Sequence, residues 1–292
     1  MSEYLLGHEP QVRLISLFSI LATMAVWELA APRRRQEIPR LLRWSNNIGM
    51  TVIDTLLVRL TFPLLAVGMA SYAVVRGWGL FNIFQVPSWI AFLVSFLLFD
   101  LAIYLQHLMF HAVPLLWRLH RVHHSDLEFD VTTGLRFHPL EILISMGLKL
   151  ALVVVLGPPA IAVLFFEVVL NGTAMFNHSN IRLPLAVDRL LRLLVVTPDM
   201  HRVHHSVLSN ETNSNYGFNL PWWDRALGTY VAQPQDGHDQ MTIGIAQFRN
   251  SRDLWLDRML VQPLRESGSR SIDRVNGATK DDSQEFTKAL DD

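Results

Sequence analysis

Apolar positions along the chain are gathered into long runs separated by short polar or turn-rich segments. The runs are "LISLFSILATMAVWELAA" at 14–31, a stretch over about 48–75, another over about 86–106, and one from Pro139 to Phe176. The first three lie near the roughly 20 residues that a helix needs to cross hydrocarbon. As a single helix the last would be about 57 Å long, nearly twice the ~30 Å apolar thickness of a bilayer. "GPP" at 157–159 interrupts it, because proline cannot continue a helix, so this run predicts a helical hairpin, spanning or re-entrant. The pattern therefore predicts an all-α integral membrane protein with about three transmembrane helices plus that hairpin.

Composition agrees. Half of the 292 residues are hydrophobic, 17% are charged and mean hydropathy is +0.25, whereas soluble domains carry about a quarter charged residues. The net charge of −1 gives no reason to expect a nucleic-acid partner. Cysteine is absent, which excludes disulfides, thiolate zinc sites, Fe–S clusters and cysteine nucleophiles. The first apolar run has no basic segment before it and no small-residue cleavage site, so it reads as a retained membrane helix. "APRRRQEIPRLLR" at 31–43 carries five arginines, which the positive-inside rule places in the cytoplasm. "RGWG", with Trp78 and Trp89, then becomes a short outer connection. The third helix brings 107–138 back to the cytoplasm, and a hairpin that ends where it began leaves 177 onward there too. Asp54 and Arg59, costly in hydrocarbon, are expected to pair or to face the bundle interior, and Trp222 and Trp223 to rest at the membrane interface. Glu167, inside the hairpin, has no evident role in the sequence.

Histidine changes the picture. "HRVHHS" occurs at 120–125 and again at 201–206, and "HLMFH" precedes them with His107 and His111. On helices, spacings of three and four put His107 and His111 on one face, likewise His120, His123 and His124, and likewise His201, His204 and His205. His178, in "FNHSN", emerges at the end of the hairpin. His8 and His238 stand outside these groups and read as hydrogen-bonded core or surface residues. So many clustered rings would repel if protonated and be poorly satisfied if buried neutral, and a cation that takes their lone pairs resolves both problems. One first-row ion takes four to six ligands, so the count points to two ions with open positions, a helical histidine cap on the cytoplasmic face of the membrane. Nitrogen ligation alone leaves iron, zinc, copper and manganese open.

HxxxH followed by HxxHH and a distant HxxHH, threaded between membrane helices, resembles the fatty acid hydroxylase/sterol desaturase superfamily of integral-membrane di-iron enzymes. "FD" at 99–100, "RFHPLE" at 136–141, "FNHSNIRLP" at 176–184, "TPDMHRVHHS" at 197–206, "NSNYG" at 213–217 and "WDRALGT" at 223–229 carry the resemblance as well. It covers about 95–230. It implies two iron ions (Fe2+/Fe3+) held by His107, His111, His120, His123, His124, His178, His201, His204 and His205, with O2 as cosubstrate. The implied reaction is hydroxylation of a C–H bond of a lipid (fatty acyl chain, sterol or related lipid), or alternatively desaturation at the same site. Some members carry a second HxxxH where His178 stands, but here position 182 is arginine, so nine ligands are expected and one ion is less saturated.

The resemblance divides the chain into N-terminal membrane helices (1–94), a catalytic domain (95–232) containing the hairpin (139–176), a cytoplasmic C-terminal segment (233–264) and a disordered polar tail (265–292). Asp100, two turns ahead of His107, could accept a ligand N–H or make an interhelical hydrogen bond. His138 could support the site, act as a ligand or pack a helix. Asn180, Asn213 and Asn215 could orient rings or water, or serve caps and turns. No GxGxxG, CxxC or cytochrome b5-like haem motif is present, so electrons are expected from a separate donor of cytochrome b5, ferredoxin or rubredoxin type with its reductase. Arg118, Arg121 and Arg202 could attract an acidic donor or be structural. A zinc protease would need HExxH, which is absent. A membrane metal transporter would place ligands on discontinuous helices near the midplane rather than at helix ends.

Overall fold

A computed structural model describes residues 1–266, and among these there is no strand, only isolated bridges pairing Pro32 with Ile181 and Ser206 with Ile243. The long helices are α1 (Glu9–Ala30), α2 (Arg40–Thr61), α3 (Ala66–Arg76), α4 (Ser88–Ala112), α5 (Pro114–His124), α6 (Pro139–Leu156), α7 (Ala160–Asn177) and α8 (Pro198–His204). Among the described residues, five stretches are long and apolar enough to cross a membrane: Glu9–Ala30, Arg40–Ile83, Ser88–Ala112, Pro139–Leu156 and Ala160–Asn177. The all-helical architecture follows the sequence pattern, with one difference. The apolar run 48–75 is not a single helix, because Pro63 forces Phe62 into an extended conformation (φ −110°, ψ 115°) and ends α2 there. The expected polar tail lies outside the described residues except for its first two positions, where Arg265 ion-pairs with Asp253 at 2.6 Å.

The hairpin forms as predicted. Leu156 is followed by Gly157 in the left-handed conformation (φ 65°), and Pro159 precedes the first turn of α7. Gly79 meets this turn so closely that a side-chain carbon on it would lie 2.2 Å from the Gly157 nitrogen. Helices α3, α4, α6 and α7 enclose an apolar core built from Ala66, Val67, Ala70, Phe99, Val153, Val163, Leu164 and Phe166. Alanines on α3 let the backbones approach, the usual device where lipid removes the hydrophobic drive for helix association. Leu60, Val75, Phe84 and Trp89 point outward, as lipid-facing side chains do. Glu167 acquires a clear part in this bundle, joining Lys149 of α6 at 2.6 Å and Arg13 of α1 at 2.5 Å. Asp54 is buried as expected, whereas Arg59 is exposed and has no ion pair among the described residues.

At the opposite end from the Gly157 turn, the ends of α1, α2, α4, α6 and α7 meet, and polar groups replace apolar ones. Glu28 accepts the backbone N–H of Val131 at 2.8 Å and of Asn180 at 2.7 Å, tying α1 to two loops. Arg43, fully buried, donates to Asp126 at 2.9 and 2.8 Å, to Thr133 at 3.1 Å and to Asp130. Arg136 donates to the Val122 carbonyl at 2.8 Å and to Ser125 at 3.0 Å. These bonds fix the loop 125–138 beneath α5. Removing one partner of a buried ionic cluster strands the others, at a cost of about 3–5 kcal/mol. Arg43→Met is therefore expected to lower the stability of the detergent-solubilised protein by that amount in thermal unfolding. Arg43→Lys should recover only part of it, because a single ammonium cannot span both carboxylates.

Candidate metal centre

Both helices that carry HRVHH start on a proline. Pro114 and Pro198 occupy first-turn positions of α5 and α8, where a missing N–H costs nothing, and the Thr197 hydroxyl caps α8 by accepting from the Met200 N–H at 3.3 Å. The rings of "HRVHH" thus follow helical spacing in both copies, with His205 as the residue that closes α8.

The eight histidines singled out by spacing and His178, singled out by its place at the end of the hairpin, converge in two groups. His107, His111, His120, His124 and His204 form one, and His123, His178, His201 and His205 the other; within each group one ring nitrogen per residue lies within 4.8 Å of all the rest. The two hexamers exchange members. From α5, His120 and His124 join the first group while His123 crosses to the second; from α8, His201 and His205 join the second while His204 crosses to the first. In both, the i, i+4 pair stays together and the i+3 ring goes across. HLMFH completes the first group with two rings, whereas the second receives His178 alone. Position 182, where arginine replaces the histidine some members of the resembled family carry, lies in non-helical backbone after α7 and is exposed.

The outer nitrogens are pinned by fixed acceptors. His107 donates from Nδ1 to the Tyr216 carbonyl at 2.8 Å, His204 to the Ser214 carbonyl at 2.6 Å, His178 to the Ala174 carbonyl at 2.7 Å and His123 to the Arg136 carbonyl at 3.2 Å. His111 Nδ1 lies 3.3 Å from Asn213 Oδ1, and His120 Nδ1 lies 2.6 Å from Glu141 Oε1. A carbonyl only accepts, so these contacts place the proton on Nδ1 and leave the Nε2 lone pairs facing inward. There they face one another: His107 and His204 at 2.9 Å, His123 and His178 at 3.1 Å. Burial, followed by the charge each ring would impose on its neighbours, pushes His123, His124, His201, His204 and His205 well below the ordinary imidazole value. Burial lowers His178 to about 3, against its bond to Ala174. Opposed lone pairs on neutral buried rings repel unless a cation lies between them. His205 is fully buried with neither ring nitrogen hydrogen-bonded, and His124 Nδ1 also lacks a partner. The donor set therefore fits two cations.

The supporting candidates divide among the roles left open for them. Asp100 does not serve His107; its Oδ2 accepts Trp223 Nε1 at 2.8 Å and the Leu220 N–H at 3.3 Å, which anchors the 216–223 loop, the interhelical alternative in a different form. His138 caps α6 by accepting from the Leu140 N–H at 3.2 Å and donates to the Leu260 carbonyl at 3.1 Å, so it is neither ligand nor ligand support. Asn180 clamps the backbone of Arg34 at 3.0 and 2.8 Å and touches no ring. Asn213 does orient a ring, while Asn215 (φ 51°) donates to the Met200 and Val231 carbonyls. Arg202 is buried against Asp199, Arg121 is buried and donates to the carbonyls of Gln262 and Arg265, and Arg118 donates to the Pro263 carbonyl, so all three are structural. His8 is exposed and His238 buried, and neither joins a group. Glu141 was missed, although it closes the quoted "RFHPLE" in the first turn of α6.

Part of the chain is similar to known proteins. The fatty acid hydroxylase family matches residues 92–229. Over that span, somewhat less than half of its length, the chain is similar to a fatty acid hydroxylase domain. Relatives of that domain include ornithine lipid hydroxylase OlsE of Rhizobium tropici, 31% identical over 151 residues, which are 52% of this chain and 45% of the relative. Human alkylglycerol monooxygenase is 29% identical over 164 residues (53% and 34%), and human cholesterol 25-hydroxylase 31% identical over 144 residues (47% and 50%). The chain thus spans between a third and a half of the length of these relatives. No solved structure matches it.

Gly134 supplies a test of the second group. A methyl group there would lie 2.6 Å from the Ala174 carbonyl oxygen and 3.2 Å from His178 Nδ1, directly on the bond that orients His178. Gly134→Ala is expected to reduce metal uptake by the four-histidine group. Gly147→Ala, where nothing lies within 4 Å, should leave uptake unchanged. Metal analysis per chain reads both.

Proposed function

We propose that this protein is a membrane-bound, di-iron, O2-dependent lipid hydroxylase. The observation that carries this reading is the pair of buried histidine groups whose lone pairs converge where five helix ends meet. One iron would be held by His107, His111, His120, His124 and His204, the other by His123, His178, His201 and His205. When bound, the two ions would supply the redox chemistry that activates O2 toward an unactivated C–H bond. The overall reaction balances as R–H + O2 + 2e− + 2H+ → R–OH + H2O. The names of the relatives, each a hydroxylase or monooxygenase, favour hydroxylation over desaturation.

The chain's own residues prepare that chemistry. Glu141 holds the Nδ1 proton of His120 and keeps the ring turned inward, and the carbonyls of Ser214 and Tyr216 do the same for His204 and His107. Phe137 stacks on His123 at 4.5 Å and Phe218 meets His107 edge-on at 5.2 Å, so apolar faces keep water from the rings. The position at the membrane rim suits a lipid chain presented from the bilayer. The five arginines of 31–43 support a cytoplasmic placement of the histidine cap. Two electrons per turnover would come from a separate protein.

Protein purified from cells grown in iron-replete medium is expected to carry two irons per chain; a single zinc with no iron would overturn the cofactor assignment. In cells expressing the gene under 18O2, label should enter a lipid hydroxyl, whereas a new double bond without label would make the enzyme a desaturase. His204→Ala should abolish turnover and still insert in the membrane.

A further inference from the structure

An open cavity of about 580 Å³ lies between the loop joining α1 to α2 and the segment after α7, lined by Arg33, Arg34 and Arg35 of the loop, Arg40 at the start of α2 and Arg182 after α7, with Glu37 as the one acidic residue in its wall among the described residues. Of these cations, Arg33 is paired with Asp199 and Asp239, Arg34 donates to the Met241 carbonyl at 2.7 Å and Arg40 to Gln36 at 3.1 Å. The side chains of Arg35 and Arg182 are exposed and make no hydrogen bond or ion pair among the described residues. Glu128 lies near the loop, with Oε1 accepting the N–H of Glu37 at 2.9 Å. The loop is held open by its backbone: Arg33 N–H donates to the Asn180 carbonyl at 2.8 Å and Arg182 N–H to the Ala31 carbonyl at 2.9 Å. One wall of the cavity is therefore the segment that leaves His178.

We propose that this cavity seats the phosphate of an anionic phospholipid headgroup. Its place between Ala30 and Arg40, the ends of two apolar stretches, sets it at the depth where lipid phosphates lie. Guanidinium forks match phosphate oxygens two at a time, and weakly hydrated Arg gives up water more readily than Lys. An acidic protein partner would instead need a broad surface, about 800 Å² a side, rather than a concave seat. The proposal is independent of the metal reading, since Arg35 and Arg182 touch none of the histidines.

The test uses full-length protein in detergent with the double substitution Arg35→Gln/Arg182→Gln, which leaves the paired Arg33 and Arg34 in place. Native mass spectrometry against phosphatidylglycerol should show one lipid retained per chain, with phosphatidylcholine displaced. The double variant should weaken retention by about 30-fold, from roughly one kcal/mol for each arginine. Unchanged metal content and thermal midpoint would show that the variant is folded. Equal retention of the two lipids, or no effect of the substitutions, would overturn the proposal. So would inorganic phosphate competing at the same concentration as the lipid, which would indicate a free-anion site. Slower reduction by an acidic electron donor with lipid retention intact would reassign the cavity to protein docking.

Discussion

The structure depends on where each imidazole proton goes. A neutral ring has one N–H and one lone pair, and here the outer nitrogen of six rings meets a fixed oxygen from a carbonyl, an amide or a carboxylate. Four of those oxygens are backbone carbonyls, so the tautomers are set by main-chain geometry and not by side chains that could swing away. Once the outer protons are committed, the inner lone pairs must oppose one another. The polar lattice of Glu28, Arg43, Asp126 and Arg136 fixes the loop that carries one of those oxygens, the Arg136 carbonyl, while Asp224 holds the Tyr216–Gly217 backbone that carries another. The lattice lies at the helix ends because buried charges there can be matched by loops, an option that the apolar middle of the bundle lacks.

The exchange between the two hexamers explains a repetition that has no structural repeat behind it. A helical i, i+4 pair shares one face, and the i+3 ring is displaced round the axis by the remainder of a turn. Two such helices set beside each other can each give two rings to one group and one to the other. The same six letters then serve both, although α5 follows a membrane helix and α8 follows a surface loop. The asymmetry between five and four arises outside the hexamers, where HLMFH supplies two rings and the hairpin's end supplies His178 alone.

Much of this was legible in the sequence, because the apolar runs and the histidine spacings are local signals. The lengths of the apolar runs and the GPP break marked the spans and the hairpin, spacing marked eight of the nine rings that converge, and the hairpin's end marked His178. What spacing could not give was partnership across long separations. Arg43 and Asp126 are 83 residues apart, and Asp100 and Trp223 are 123 apart. A carboxylate such as Glu141, Asp100 or Glu28 carries no mark of which distant group it will meet. Reading Asp100 as the neighbour of His107 relied on helical proximity, but the 216–223 loop claims both residues from outside the helix. Pro63 was visible in the sequence, yet a hydrophobic average passes over one residue that ends a helix.

The contact between Gly79 and Gly157 sits at the far end of the hairpin from the histidines. It seats two backbones against each other with no side chain to adjust the distance. Helix α7 runs from that contact to His178 without a break, so the contact acts as a height gauge. The length of α7, 18 residues at about 1.5 Å each, determines how far above it the ring stands. Inserting or deleting one residue anywhere along α7 would both raise or lower that ring and rotate it by about 100° around the axis. A helix that runs through the bundle to end at His178 is therefore under as strict a length requirement as the residues that surround the metal groups.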